Sequence, residues 1–213
     1  RGATDNDRLQ AMPGTSAPPF PRWVDWGLDE LEITPSDCRI QRRENGSTVV
    51  RTEQTARTRI PEAADAPPDA YTINHLMQWT IMPSGWIALK NEIRVGAALD
   101  DLPRVGIHLE MTRGFERLEW FGRGPHENYW DRKDGAPMGR HSSSVDDQYH
   151  RYVVPQENGN RTDTRWLALC RKSETGLLVG GAQPFESGTS HYTSHDLHQA
   201  QHTNELRARP ETQ

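Results

Sequence analysis

At 213 residues the chain suits one large β domain or two small ones. Only 33% of its residues are hydrophobic and its mean hydropathy is −0.88, so seven tryptophans must carry much of any core. The net charge of −5 comes from interspersed acids and bases with no basic stripe, and no apolar run approaches a membrane span, which argues against nucleic acid and membrane as partners.

In chain order, residues 1–21 are rich in Gly, Pro, Ser and Asp and read as an irregular arm. Pro21 then opens a helical candidate over Arg22 to Leu31, with Trp23, Trp26 and Leu31 at near-helical spacing. From Thr34 the pattern turns to strands, and Arg39 to Glu44 faces Ser47 to Ile60 across the hairpin signal Asn45-Gly46. The prolines at 61, 67 and 68 mark a loop. Tyr71, Ile73, His75, Met77, Trp79 and Ile81 alternate with mostly polar residues. After Ser84-Gly85, Ile87, Leu89, Ile93 and Val95 fall on one face, with Lys90, Glu92 and Arg94 on the other. Such period-2 runs predict long antiparallel strands with one wet face.

Val105, Ile107, Leu109 and Met111 repeat that alternation, and Leu118 to Phe121, Tyr152 to Val154, Thr164 to Cys170 and Gly176 to Gly181 read as further strands. Tyr192 to Leu206 is the one late helical segment, with Thr193 or Ser194 as its N-cap. Many strands and few helices predict an all-β sandwich. Cys38 and Cys170 stand far apart with no CxxC spacing, so both read as free buried thiols, which suits a reducing cytoplasm.

Two polar loops interrupt this pattern. LEWFGRGPHENYWDR, from Leu118 to Arg132, and YVVPQENGNRTDTRW, from Tyr152 to Trp166, each pass from an apolar run into a turn holding a Glu-Asn pair and then an arginine. Carboxylate, amide and guanidinium groups beside aromatic rings suit polyhydroxylated ligands, and loops on a rigid sheet are where such sites tend to sit.

These loops resemble the C-terminal small-chain domain of the large bacterial β-galactosidases of glycoside hydrolase family 2. That family's pattern runs roughly W-x-G-x-G-P-x-E-N-Y-x-D-R and then P-x-E-N-G-x-R. The matching residues here are Trp120, Gly122, Gly124, Pro125, Glu127, Asn128, Tyr129, Asp131 and Arg132, then Pro155, Glu157, Asn158, Gly159 and Arg161. The opening Arg1-Gly2-Ala3-Thr4-Asp5-Asn6-Asp7 is similar to the family's R-A-P-T-D-N-D. Ala3 and Trp130 stand where the family usually has proline, which changes local turn geometry rather than membership.

The resemblance implies a truncated, galactose-mutarotase-like antiparallel β-supersandwich with one or two short helices, filling 1–213 as one domain. Because the chain opens inside a motif, a catalytic barrel is expected upstream and further strands downstream. The catalytic glutamates would belong to that barrel, none to this chain. The whole enzyme would be a homo-oligomer using magnesium and sodium, with no ion held by this part. Asp5, Asn6, Asp7 and Arg8 are expected at the rim of the galactoside pocket. Glu127, Asn128, Tyr129, Asp131, Arg132, Glu157, Asn158 and Arg161 are expected to scaffold loops or touch the catalytic domain.

Other readings of the same residues stand beside these. Glu127 and Glu157 are candidates for a glycosidase acid and nucleophile, which need two carboxylates flanking the bond. Asp5-Asn6-Asp7 offers oxygen ligands for a hard cation, although the triplet also makes Asx-turns readily. His191, His195, His198 and His202 would share one face of a helix, where an HxxxH pair can clamp zinc, or they simply face solvent and the sheet. Trp79, Trp86, Trp120 and Trp166 read as core, and Trp130 as exposed. A stand-alone carbohydrate-binding or mutarotase-like module is the rival identity, and a small metalloprotein built on the histidines a third.

Overall fold

The computed structural model describes residues 7–8, 17–58, 67, 69–172 and 176–213. It is all-β, with two four-stranded antiparallel sheets and two short helices among the described residues. None of those helices is long and apolar enough to cross a membrane. The described residues divide into two compact units, one within 7–105 and the other within 106–213.

In the first unit, helix α1 is Pro19–Asp25. It starts two residues before the predicted Pro21 and stops well short of Leu31. Gly27, at φ 66°, ends it. The Gly27 amide donates to the Val24 carbonyl at 2.8 Å and the Leu28 amide to that of Trp23 at 3.1 Å, the paired closure of a Schellman motif. Trp23 is buried, and its indole N–H donates to Asp101 at 3.2 Å.

The first sheet follows as β1 (Glu32–Arg42), β2 (Thr48–Arg57), β3 (Thr72–Ile81) and β4 (Ile87–Val95), paired in sequence order. The Asn45-Gly46 hairpin forms as expected. Asn45 Oδ1 accepts from the amide and hydroxyl of Ser47 at 3.1 and 2.7 Å, closing an Asx-type turn. Pairing of Ile40 with Val50, Val50 with Trp79, and Trp79 with Leu89 places these four on one face. The alternation therefore assigned the faces correctly. Ile33, Ile40, Ile87 and Val95 on that apolar face are nevertheless exposed, Ile40 at 70%. Cys38 is exposed and Cys170 half-buried, so both thiols are free but neither is buried as predicted.

The second unit holds β5 (Arg117–Arg123), β6 (Met138–Ser144), β7 (Arg161–Cys170) and β8 (Gly176–Ser187), in sheet order β6-β5-β7-β8. Phe115, Leu118, Trp120, Val145 and Leu169 form its core, with Met111 and Leu167 packed against them. In β5 the residues Leu118, Trp120 and Gly122 are buried while Arg117, Phe121 and Arg123 are not, as a half-buried strand requires. Trp120 is core as expected. Trp79 and Trp166 are half-buried, and Trp86 and Trp130 are exposed.

Three predicted elements differ. Val105 to Leu109 form no strand, and Met111 makes only an isolated bridge to Thr212. Tyr152 to Val154 form none either, and Val153 is 94% exposed. The late helix α2 is only Ser194–Gln199. Thr193 caps it in a capping box with Asp196, whose carboxylate also accepts twice from Arg209 at 2.7 and 2.9 Å. Ala200 then turns extended and a short 3-10 turn takes Thr203–Glu205.

Candidate functional site

The two motif loops, which carry no strand of their own where they meet, are brought together above the β5–β7 pair. The first leaves β5 through the cis Gly124-Pro125 peptide and closes at Tyr129 and Arg132, whose backbones bond in both directions. The second enters β7 through a register irregularity between Arg161 and Thr164, where Asp163 takes φ 55°. That irregularity re-aims Arg161 and Thr162 toward the first loop.

Asn128 joins the loops. It is 1% exposed. Its side-chain oxygen accepts from the Thr162 amide at 2.8 Å and hydroxyl at 2.6 Å, and its side-chain nitrogen donates to the His126 carbonyl at 3.0 Å. Its amide donates to the Asn160 carbonyl, and its carbonyl accepts from the Asn160 side chain, both at 2.9 Å. A buried amide needs such a complete set of partners.

Glu127 makes the second connection. One carboxylate oxygen accepts from Arg132 at 2.8 Å and from the Tyr152 hydroxyl, and the other accepts from the Gly159 amide at 2.8 Å. Burial pushes its carboxyl up, but the bonds from Tyr152, Gly159 and Arg132 prevail and hold it below the usual glutamate value. Gly159 sits at φ 77°, and a Cβ there would lie 2.8 Å from the Gln148 carbonyl oxygen, so only glycine fits the close approach.

Arg161 does not pair with either glutamate through its Nη1, which donates to the carbonyls of Gly159 at 3.1 Å and Asn160 at 3.0 Å. Its guanidinium lies 5.2 Å from the Trp120 ring centre. Burial lowers its pKa to about 10. Tyr129 is held above the usual phenol value, first by burial and then by the negative charge of Glu127. Asn158 accepts from the His150 amide at 3.0 Å and donates to the Gln156 carbonyl at 2.9 Å, Glu157 is half-buried, and Asp131 is exposed.

A cleft of about 460 Å³ opens between the loops. Pro125, His126 and Arg132 line it from the first loop, Tyr152 from the second, and Tyr149 and His150 from the segment just before the second. Gln148, Asp147 and Arg161 also line it.

Asp5 and Asn6 lie outside the described residues. Asp7 is buried and the Arg8 guanidinium lies 5.5 Å from the Phe20 ring centre, both in the unit that holds the first sheet. The four histidines do not share a helical face, because α2 contains only His195 and His198. His191 is buried instead, with Nδ1 3.0 Å from the Glu211 carbonyl and Nε2 2.9 Å from the Glu116 carboxylate, while His202 bonds Glu205 at 2.9 Å. Among the described residues no three His, Cys, Asp or Glu side chains converge as metal ligands.

Several residues of this arrangement went unmarked in the sequence. Asn160 and Thr162 alternate with the expected Asn158, Gly159 and Arg161 and make the actual cross-loop bonds, and Tyr152 and Gln148 complete the cleft. Their types carried a weak signal, since Asn and Thr beside a Gly turn are ordinary loop residues.

The whole of residues 1–213 matches the family model described as the β-galactosidase small chain. The chain is 33% identical over 185 residues to a β-galactosidase of Vibrio cholerae, covering 87% of this chain and 16% of that protein. It is 35% identical over 130 residues to a β-galactosidase of Priestia megaterium, covering 61% of this chain and 13% of that protein. With one of Aeromonas hydrophila the identity is 38% over 126 residues, or 57% of this chain and 12% of that protein. The chain thus spans about one sixth or less of the length of these curated relatives. With the family pattern matched along its full length, the chain belongs to the β-galactosidase small-chain family.

Proposed function

We propose that this chain is the non-catalytic part of a β-galactosidase, packing on a catalytic barrel and helping to shape its galactoside pocket. The observation that carries this reading is the state of Glu127. Both of its oxygens are engaged in holding the two motif loops together, which suits a scaffold and leaves no oxygen for attack on a sugar. Retaining hydrolysis needs an acid and a nucleophile free to exchange roles. On this reading both glutamates lie outside the chain, and the whole enzyme hydrolyses terminal β-D-galactosides with retention. Asp5, Asn6, Asp7 and Arg8 serve the rim of its pocket. The magnesium and sodium implied by the family are read as held mostly by ligands outside this domain. The two free thiols favour a cytoplasmic setting, and a homo-oligomer fits the family.

A chromogenic β-galactoside assay tests the proposal. The complete protein that carries this chain is expected to turn over, and these 213 residues by themselves are not. Turnover by these residues that disappears in Glu127→Gln or Glu157→Gln would move catalysis onto this chain. In the complete protein, Asp5→Ala is expected to raise KM, and an unchanged KM would remove that residue from the pocket rim.

A further inference from the structure

We propose that His191 is a proton-operated latch that holds the C-terminal segment 190–213 onto the rest of the second unit and, through Tyr192, braces the approach to the second motif loop. This device lies beyond the scaffold role and does not depend on it.

The segment has little regular structure, with α2 and one short 3-10 turn. Its two ends are drawn together instead. The Gln213 amide donates to the Ser190 carbonyl and the Arg209 amide to the His191 carbonyl, both at 2.8 Å. The segment docks through Met111 and Thr212, whose backbones bond in both directions, and through the Thr212 hydroxyl, which donates to the Phe115 carbonyl at 2.8 Å. A segment built this way opens more readily than the strands of a sheet core.

His191 ties these ends to β5. Its Nδ1 lies 3.0 Å from the carbonyl oxygen of Glu211, the residue before Thr212. Its Nε2 lies 2.9 Å from the carboxylate of Glu116, the residue before β5. The Asp146 carboxylate, in the 3-10 turn Asp146–Gln148, stands 3.8 Å from the same Nε2. These two carboxylates are the charges that reach the ring from outside its segment, and within the segment Arg209 is taken up by Asp196 at 2.7 and 2.9 Å. Neither a carbonyl nor a carboxylate can donate, so the charged ring satisfies both contacts and the neutral ring only one. At 8% exposure, water has little access to replace the lost partner. Deprotonation therefore sets one acceptor against a lone pair, and the ring gives up either the Glu211 end or β5.

The next residue carries the effect outward. The Tyr192 ring centre lies 4.9 Å from that of Tyr149. Tyr149 follows Gln148, whose carbonyl is packed against Gly159, and precedes His150, whose amide donates to Asn158 at 3.0 Å. Residues 148–150 thus have the latch on one side and the second motif loop on the other.

Amide exchange of the complete protein at about pH 6 and about pH 9, corrected for the intrinsic rate at each pH, tests the latch on both sides of a histidine titration. Protection across 190–213 and at Met111 is expected to fall about tenfold or more at the higher pH, the worth of one hydrogen bond to a charged group. Exchange at 148–150 should rise with it, while Leu118 to Trp120 and Leu167 to Leu169 keep their protection. His191→Gln should show the released level at both pH values. Glu116→Gln changes a side chain that is 43% exposed, so the fold is kept, and release should move to lower pH. Equal protection of the parent at both pH values would overturn the proposal. So would a fall spread evenly over the core strands, unchanged exchange at 148–150, or a release pH that stays the same in Glu116→Gln.

Discussion

The carboxylate of Glu127 accepts a hydrogen bond from the amide of Gly159, thirty-two residues away in sequence, at 2.8 Å. The same carboxylate takes Arg132 and Tyr152. One side chain thereby fixes a backbone turn, a guanidinium and a phenol belonging to two different loops. Glu127→Ala leaves all three without their acceptor, and stability is expected to fall by about 1–3 kcal/mol. Glu127→Gln keeps one oxygen and should cost less. Urea unfolding of parent and variants decides, and an unchanged midpoint in Glu127→Ala would mean that the loops hold without this lock.

Gly159 is the position where the second loop has no freedom of residue type. Its φ of 77° is a conformation that side chains resist, and an added Cβ would meet the Gln148 carbonyl oxygen at 2.8 Å. Gly159→Ala is expected to cost about 1–3 kcal/mol, the range of a residue held in a sparsely populated conformation. The clash pushes Gln148 away, so exchange of the amides near 148 should rise in the same variant. Native-like exchange there with native stability would contradict the close approach.

Two groups set opposite pH limits. The folded Glu127 carboxyl lies below its unfolded value, so its contribution is present above about pH 4.3 and is lost as pH falls through the lowered folded value. His191 runs the other way. Burial works against its charged form, but the Glu211 carbonyl and the Glu116 carboxylate raise it. Both of its ring nitrogens face acceptors, a need that only the doubly protonated ring meets. Its contribution is full below about pH 6.5 and is lost as pH rises through the raised folded value. In unfolding free energy against pH, Glu127→Gln should flatten the acid limb and His191→Gln the limb above neutrality. Identical profiles in parent and variant would remove the group from the account.

The sheet residues were legible because alternation fixes which side of a strand a residue takes. Ile87, Leu89, Ile93 and Val95 pair with the same face of β3 that carries Ile73, Trp79 and Ile81. What alternation does not report is whether anything covers that face, and here Ile87 and Val95 are exposed. It also misled at Val105 to Leu109 and at Tyr152 to Val154. In both segments β-branched residues occur without a neighbouring strand to pair them, so propensity had nothing to act on. The late helix was overextended because His and polar spacing continued past Ala200, where the backbone turns extended. At the site, the Glu-Asn pairs were legible as motifs. Their partners were not, since a bond between residues 127 and 159 depends on how the β5–β7 pair aligns two loops that share no sequence neighbourhood.

Asn128 gives the sharpest test of that alignment, because its amide is used as an oriented group. The oxygen end accepts twice from Thr162 and the nitrogen end donates to the His126 carbonyl at 3.0 Å. Asn128→Asp preserves shape and the accepting end, but it sets a second carboxylate oxygen against the His126 carbonyl where a donor stood. With 1% exposure, water has little access to relieve that contact. The substitution should therefore destabilise by about 1–3 kcal/mol despite its near-identical volume. The loss should shrink at low pH, where a protonated carboxyl restores one donor, as long as the comparison is made with a parent measured at the same pH. Asn128→Ala loses both ends and should show no such recovery. If Asn128→Asp were as stable as the parent at neutral pH, or if its deficit were independent of pH, the oriented-amide account of the loop junction would fail.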